Sequence, residues 1–345
     1  MENRLAEDLD HVLDHTRGLW DELREERLFL TGGTGFVGCW LTESLLWANR
    51  RLGLGITAVL LTRDPGRFRL RAPHLAGDPA MELLAGDAVG SDWPEGSFPL
   101  VVHAATERHF QPDAARPGGI FDANIAATRH VLEMARDRGT VRLLFTSSGA
   151  VYGTQPPSMT HISEEYAGAP ATTDPAAAYA NSKRAGEFLC ASYAQACGFT
   201  ASIARLFTFA GPYLPLNENF AVGNFVRDAL AGGPLRIGGD GTPYRSYLYG
   251  ADLAIWLWTI LLRGKSAYPY NVGSAEAVSI RELAERVARA AAPGAAVQVA
   301  GKPVPGAPAA RYVPAVSRAE SELGLRVRVP LDEGIRRMAA WHQDH

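Results

Sequence analysis

Tyr179-Ala-Asn-Ser-Lys183 sets a phenol and an ammonium four residues apart. On a helix that spacing is about one turn, so both side chains leave the same face. A free tyrosine ionises near pH ~10 and is a poor base at neutral pH. A neighbouring cation favours the phenolate, which suits Tyr179 to exchanging a proton with an alcohol while Lys183 supplies the charge. A Tyr-x-x-x-Lys tetrad recurs by chance, so its weight comes from its company. Ser148 lies upstream at the end of an apolar stretch, Val141–Thr146, read as a strand, and its hydroxyl can bond the same oxygen. Ser148, Tyr179 and Lys183 are therefore the candidate catalytic residues. Cys39, Cys190 and Cys197 fall into no CxxC or Cys/His spacing, so they suggest neither a zinc site nor a disulfide framework and read as buried, reduced thiols; no metal is expected.

A second constellation precedes the first. Gly32, Gly35 and Gly38 lie in Thr31-Gly-Gly-Thr-Gly-Phe-Val-Gly38, between a short apolar strand, Leu28–Leu30, and a helix, Cys39–Asn49. That context allows a tight turn, close approach of backbone to a pyrophosphate, and a helix N-terminus whose free N–H groups face the phosphates. Gly32, Thr34, Gly35, Phe36 and Val37 are the expected pyrophosphate cradle of a nicotinamide dinucleotide. The positive nicotinamide would also favour a Tyr179 phenolate. NAD sites place an acid at the end of the second strand, here Ile56–Leu61. This chain has Leu61-Thr-Arg-Asp-Pro65, with Thr62 where the acid is expected and Arg63 after it. An arginine there can pair with a 2′-phosphate, so the reading leans to NADP over NAD; the alternative makes Arg63 a solvated charge and Asp64 the acid. Gly86-Asp-Ala88 sets Asp87 and Ala88 near the adenine, and Ala104 follows the strand Leu100–His103.

The elements that must position these residues alternate. Strands at 28–30, 56–61, 100–103, 141–146 and 201–206 are interleaved with helices at 39–49, 124–138 and 179–197, a rhythm that predicts a parallel sheet covered on both faces. The fold class is α/β: a doubly wound parallel sheet over 28–207, a smaller C-terminal substrate lobe over 208–345 from which 248–263 returns to the sheet, and an N-terminal helical extension over 1–27. That extension carries Leu5, Leu9, Val12, Leu13, Leu19, Trp20 and Leu23 at amphipathic spacing, and packing on the main domain or a dimer contact would use them. The chain has 345 residues, 47% hydrophobic and 21% charged, with formal net charge −3. No basic field advertises nucleic acid, so an anionic substrate needs a few placed arginines and backbone amides. The longest apolar run, 253–262, is about half the ~20 residues a bilayer span requires. The acidic N-terminus has no signal-peptide pattern, and a cytoplasmic location is expected.

With these motifs in order, the chain resembles the extended short-chain dehydrogenase/reductases, the nucleotide-sugar epimerase/dehydratase family, over about residues 28–340. The glycine turn, Val102-His-Ala-Ala105, Asn124, Ser147-Ser-Gly-Ala-Val-Tyr-Gly153, Tyr179-x-x-x-Lys183, Arg205 with Gly211-Pro212, and Tyr270-Asn-Val-Gly273 carry the resemblance. It implies a Rossmann domain, a nucleoside-diphosphate sugar as substrate, and a homodimer. It further implies that Asn224, in Gly223-Asn-Phe225, meets the substrate diphosphate, and that Arg245 and Arg311 bind phosphate, as guanidinium forks do well. Glu107 and Thr208 complete the expected substrate contacts alongside Ser148.

Two departures narrow the chemistry. Similar 4,6-dehydratases carry Asp-Glu directly after the catalytic Ser/Thr, and related decarboxylases keep the glutamate; here those places hold Gly149 and Ala150. Thr208 stands where the family usually has asparagine. Three readings follow. One is an epimerase that oxidises C4 and returns the hydride to the other face. Another is an NADPH-dependent 4-keto-sugar reductase, supported by Thr62-Arg63 and by Ala105-Thr-Glu107. The third is a non-catalytic nucleotide-sensing protein on the same fold, against which intact Tyr179 and Lys183 argue.

Overall fold

The computed structural model describes residues 3–107 and 118–343. Its organising element is a seven-stranded, all-parallel sheet. Strands β1 (Arg27–Thr31), β2 (Thr57–Thr62), β3 (Met81–Ala85), β4 (Leu100–His103), β5 (Arg142–Ser148) and β6 (Thr200–Leu206) join a last strand, Pro269–Val272. The spatial order is β3-β2-β1-β4-β5-β6 and then Pro269–Val272. The sheet is the doubly wound arrangement anticipated from the strand–helix rhythm. Its order reverses at β1, and in such sheets ligands bind outside the carboxyl ends of the strands at that switch point.

The strands are apolar runs because both faces are covered. Phe29, Val101, Leu143, Phe145 and Ala201 pack toward the helices Gly119–Asp137 and Ala178–Cys197. Leu28, Leu30, Leu60, Val102 and Leu144 face the opposite layer, built by α2 (Phe36–Leu52) and the helix Gly250–Arg263. That last helix is buried along nearly its whole length, from Gly250 through Leu262, which explains why it is apolar all round without being long enough to cross a membrane. Among the described residues no helix is long and apolar enough for that.

The N-terminal extension folds as α1 (Ala6–Thr16) followed by a 3₁₀ stretch, Arg17–Leu23, and closes the same layer. Leu5, Leu9, Val12, Leu13, Trp20 and Leu23 are all buried, and each such side chain contributes roughly 1.5–3 kcal/mol. Asp8, also buried, accepts from the Tyr249 hydroxyl at 2.6 Å and pairs with Arg337, tying α1 to the chain's last helix.

A second core lies beyond the strand ends. The helices Ala221–Leu230, Ile280–Ala291 and Leu331–Gln343 pack around Phe225, Val226, Leu283, Val287, Ile335 and Met338. A small sheet, ordered Val278–Ser279, Tyr244–Arg245, Arg311–Tyr312, sits beside this core. Two strands of the main sheet escape the sequence reading: Met81–Ala85, at the edge, and Pro269–Val272, which enters as a motif and not as a strand. Cys197 is exposed at the end of its helix; Cys39 and Cys190 are buried.

Candidate active site

The carboxyl ends of β1, β2, β4, β5 and β6 open into one cleft of about 1720 Å³. Ser148, Tyr179 and Lys183 line it, as do Gly32, Thr34, Gly35, Phe36, Val37, Arg63, Asp87, Ala88, Ala104, Glu107 and Thr208. Asn224, Arg245 and Arg311 do not line it. Asn224 lies on the helix Ala221–Leu230, one turn beyond the cleft residue Phe220, with its amide N–H donating to the Phe220 carbonyl. Its side-chain oxygen accepts from Arg227 at 3.2 Å. Arg245 and Arg311 sit on neighbouring strands of the small sheet, where the Arg311 guanidinium covers the Tyr244 ring at 4.3 Å.

The glycine turn is dictated by contact. Gly32 has φ +71°, and a Cβ on it would stand 2.5 Å from the Ala104 carbonyl carbon and the Ala105 nitrogen. A Cβ on Gly38 would reach the Gly33 Cα at 2.3 Å. The turn therefore closes only without side chains at those two places. Helix α2 then starts at Gly35 with no side-chain cap, so its first N–H groups face the cleft with the positive end of the helix dipole. Free backbone N–H groups at a helix start are the donors a pyrophosphate needs, so the residues fit a dinucleotide.

At the end of β2 the Asp64 carboxylate accepts from the Arg67 amide at 2.8 Å and caps the helix Pro65–Arg71. Arg63, Arg67 and Arg71 all line the cleft there. The Arg71 guanidinium donates to the Thr34 carbonyl at 2.9 Å and thus braces the glycine turn.

On the other side, Lys183 is buried, and its Nζ donates to the Thr146 carbonyl at 2.8 Å and lies 5.9 Å from the centre of the Tyr179 ring. The helix Ala178–Cys197 thereby presents Tyr179 and Lys183 from one face, as the spacing requires. One turn on, Glu187 takes both the Ser147 hydroxyl (2.5 Å) and the Arg205 guanidinium (2.7 Å), which pins this helix to β5 and β6. Ser148 ends β5, and its hydroxyl accepts from the Ala150 amide at 3.1 Å.

Two supporting residues were legible only as parts of motifs. Asn124 clamps the loop after β4: its side chain accepts from the Glu107 amide (2.8 Å) and donates to the Glu107 carbonyl (3.0 Å) and to Ser182 (3.0 Å). His103 bridges the ends of β1 and β4, bonded to the Thr31 hydroxyl at 2.8 Å and the Thr128 hydroxyl at 3.1 Å. Burial, helped by the nearby Lys183 charge, pushes its pKa down to about 3, so it is a neutral strut. Thr208 gives its hydroxyl to the Ser246 carbonyl, which commits that group to the backbone. Among the described residues no cluster of His, Cys, Asp and Glu could hold a metal ion.

Comparison with known proteins bears on the family and the fold. A family model described as NAD dependent epimerase/dehydratase family matches residues 28–273. UDP-glucuronic acid decarboxylase 1 of Xenopus tropicalis is 29% identical over 320 residues, covering 91% of this chain and 71% of that protein. Among solved structures, an epimerase from Methanothermobacter thermautotrophicus superposes with TM-score 0.78 at 22% identity, covering 96% of this chain and 95% of that one. UDP-glucuronic acid 4-epimerase from Bacillus cereus, solved with UDP-glucuronic acid and NAD, gives TM-score 0.76 at 22% identity, covering 92% and 99%. At these identities the structural likenesses speak for the fold.

Proposed function

This chain belongs to the NAD dependent epimerase/dehydratase family, and from that premise we propose that it epimerises a nucleoside-diphosphate hexose by transient oxidation at C4. The observation that carries this reading is that Ser148, Tyr179 and Lys183 line one cleft while the two positions after Ser148 hold glycine and alanine. Elimination of water would need an acid or base at the neighbouring carbons, and positions 149 and 150 supply neither. A phenol, an ammonium and a serine hydroxyl suffice for exchange at a single carbinol.

A nicotinamide dinucleotide, when bound, supplies the two-electron acceptor and donor. Gly32, Thr34, Gly35, Phe36 and Val37 would hold its pyrophosphate, and Ala104 and Lys183 would flank the nicotinamide end. Tyr179 takes the proton from the C4 hydroxyl as the carbon is oxidised and gives it back on reduction. Lys183 stabilises the phenolate that Tyr179 must be before the oxidation and becomes again once the proton is returned. Ser148 donates to the same sugar oxygen and holds it at Tyr179. Asn224, Arg245 and Arg311 remain the proposed diphosphate contacts of the lobe, reached by a substrate that extends beyond the cleft.

A second reading, an NADPH-dependent 4-keto-sugar reductase, is favoured by one observation. Arg63 and Arg67 border the cleft at the end of β2 while Asp64 serves as a helix cap, an arrangement suited to a 2′-phosphate. The test is to incubate purified protein, loaded with NAD or NADP, with UDP-glucose and UDP-glucuronic acid and to analyse the sugar at C4. Interconversion of C4 epimers without net cofactor consumption supports the first reading. Stoichiometric oxidation of added NADPH by a 4-keto sugar nucleotide, with no epimer interconversion, replaces it by the second.

A further inference from the structure

Backbone N–H groups and the dipole of α2 are the attraction so far assigned to the pyrophosphate, and their charge falls short of it. A helix N-terminus is equivalent to about half a positive charge, whereas the pyrophosphate of a dinucleotide is a dianion. The chain carries a formal net charge of −3, and Asp64, Asp87, Glu107, Asp122 and Glu218 also line the cleft. Of the arginines there, Arg63 is taken up by Glu107.

Arg71 is placed differently. It ends the helix Pro65–Arg71, one turn beyond Arg67 on the same face, and its guanidinium lies against the glycine turn. One nitrogen donates to the Thr34 carbonyl at 2.9 Å and the other to the Tyr213 carbonyl at 3.2 Å. Both acceptors are neutral, and among the described residues no carboxylate pairs with this arginine. The second acceptor is itself fixed. Tyr213 is buried with φ +71°, its ring packs on Trp341 with centroids 4.9 Å apart, and its hydroxyl donates to Glu43. A tyrosine held in the left-handed region by such contacts gives a carbonyl of set direction, so the guanidinium is in place before a ligand arrives. Its charge also reaches the start of α2. Burial pushes the thiol of Cys39, on the first turn of that helix, up to about 12, and the Arg71 charge pulls against the rise.

We propose that Arg71 is the cationic contact of the dinucleotide's pyrophosphate. A guanidinium has more N–H donors than the Thr34 and Tyr213 carbonyls use, and the remaining donors and the charge are left for the diphosphate oxygens. Such a contact is blind to a 2′-phosphate, so Arg71 serves NAD and NADP alike, which separates it from Arg63.

This inference rests on the reading of the glycine turn as a dinucleotide cradle, and its test separates the two. Arg71→Gln keeps an N–H donor for the Thr34 carbonyl and removes the charge, whereas Arg71→Lys keeps the charge. Arg71 is exposed, so neither substitution disturbs the core. Each protein is titrated by calorimetry at low and high salt with NAD, NADP and ADP-ribose, the last retaining the pyrophosphate without the nicotinamide. Arg71→Gln should weaken all three by the same factor, roughly ten- to a hundredfold, the worth of a hydrogen bond to a charged group. It should also flatten the salt dependence of binding, which Arg71→Lys should keep. Wild-type affinity in Arg71→Gln would leave Arg71 a brace of the turn and overturn the assignment. A loss confined to NADP, or a salt dependence flattened equally by lysine and glutamine, overturns it as well. If the wild-type protein binds none of the three ligands, the cradle itself fails and this contact with it.

Discussion

Arg63 and Glu107 meet across the mouth of the cleft, guanidinium Nη1 to carboxylate Oε1 at 2.9 Å. Arg63 follows β2, Glu107 follows β4, and β1 with its glycine turn runs between those strands. The pair therefore spans the groove along which a dinucleotide would lie. If Arg63 binds a 2′-phosphate, that phosphate must compete with Glu107. An exposed pair of this kind contributes about 0.2–1 kcal/mol, so freeing Arg63 should strengthen binding by a few-fold at most. Glu107→Gln is expected to raise NADP affinity by that margin and leave NAD affinity unchanged, read by fluorescence titration with each dinucleotide. Arg63→Ala should weaken NADP binding relative to NAD. Equal effects of these substitutions on both dinucleotides would remove Arg63 as the discriminating residue.

Tyr179→Phe should abolish turnover while leaving dinucleotide binding nearly intact. The ring stays on its helix, Lys183 keeps its bond to the Thr146 carbonyl, and only the proton carrier is lost. Proton transfer by a positioned group is typically worth 10² to 10⁴-fold, so kcat should fall by about that factor or more. The check is a steady-state assay beside a cofactor titration. Retention of more than about a tenth of wild-type kcat would show that the proton leaves by another route.

Grafting the missing acid pair as Gly149→Asp with Ala150→Glu should not create elimination chemistry. The space above position 149 is already filled by the Phe207 ring and the Tyr312 hydroxyl, both within 2.7 Å of the added Cβ. Accommodation must push one of them aside, and Phe207 is buried between Tyr152 and Tyr312. Overpacking of this sort costs typically 1–3 kcal/mol, so the expected result is a lower unfolding midpoint and weaker activity on the native substrate. Measurable water loss from a nucleotide sugar in the graft would refute this account of the pocket.

The shared face of Tyr179 and Lys183 and the glycine turn were legible because each is written in local spacing. Tyr179 and Lys183 lie one turn apart on one helix, and the glycines follow a strand and begin a helix, so no tertiary information is needed. Strands β1, β2, β4, β5 and β6 announce themselves as apolar runs because both faces of the sheet are covered. The edge strand Met81–Ala85 escapes that signal: Glu82 and Ala85 are exposed, and the run is short. Pro269–Val272 begins on proline and spans four residues, too few to show a period. Tyr312 was not legible at all, since its place beside Gly149 is produced by pairing of Arg311–Tyr312 with Tyr244–Arg245, a contact between distant segments with no motif of its own. Asp64 is a different case: its type suggested a ribose acid, but an aspartate before Pro65 is a local helix-cap signal, and the Arg67 amide 2.8 Å away identifies it as that cap.

His103 should set part of the acid sensitivity of the fold. In the folded chain its pKa is pushed down to about 3, chiefly by burial, whereas an unfolded chain would hold it near its ordinary value of 6.5. Below the unfolded value the unfolded state binds a proton that the native state refuses. Stability therefore rises with pH wherever the unfolded state carries the extra proton, and it falls as pH drops from about 6.5 toward 3. Above that window both states are neutral and His103 contributes no pH dependence. One proton corresponds to a slope of about 1.4 kcal/mol per pH unit. His103→Gln can still bond the Thr31 and Thr128 hydroxyls but does not titrate, so it should flatten the stability profile by about one proton's slope below pH 6.5 and leave it parallel to wild type above. Other buried groups, among them Asp8 and Glu164 with their carboxyls held above the usual range by burial, act with the opposite sign and are common to both proteins. The difference between the two profiles, measured by urea denaturation from pH 4 to 8, isolates the histidine. Parallel profiles throughout would mean that His103 is protonated in the folded chain, and its bond to the Thr31 hydroxyl would then have to be one that the imidazolium donates.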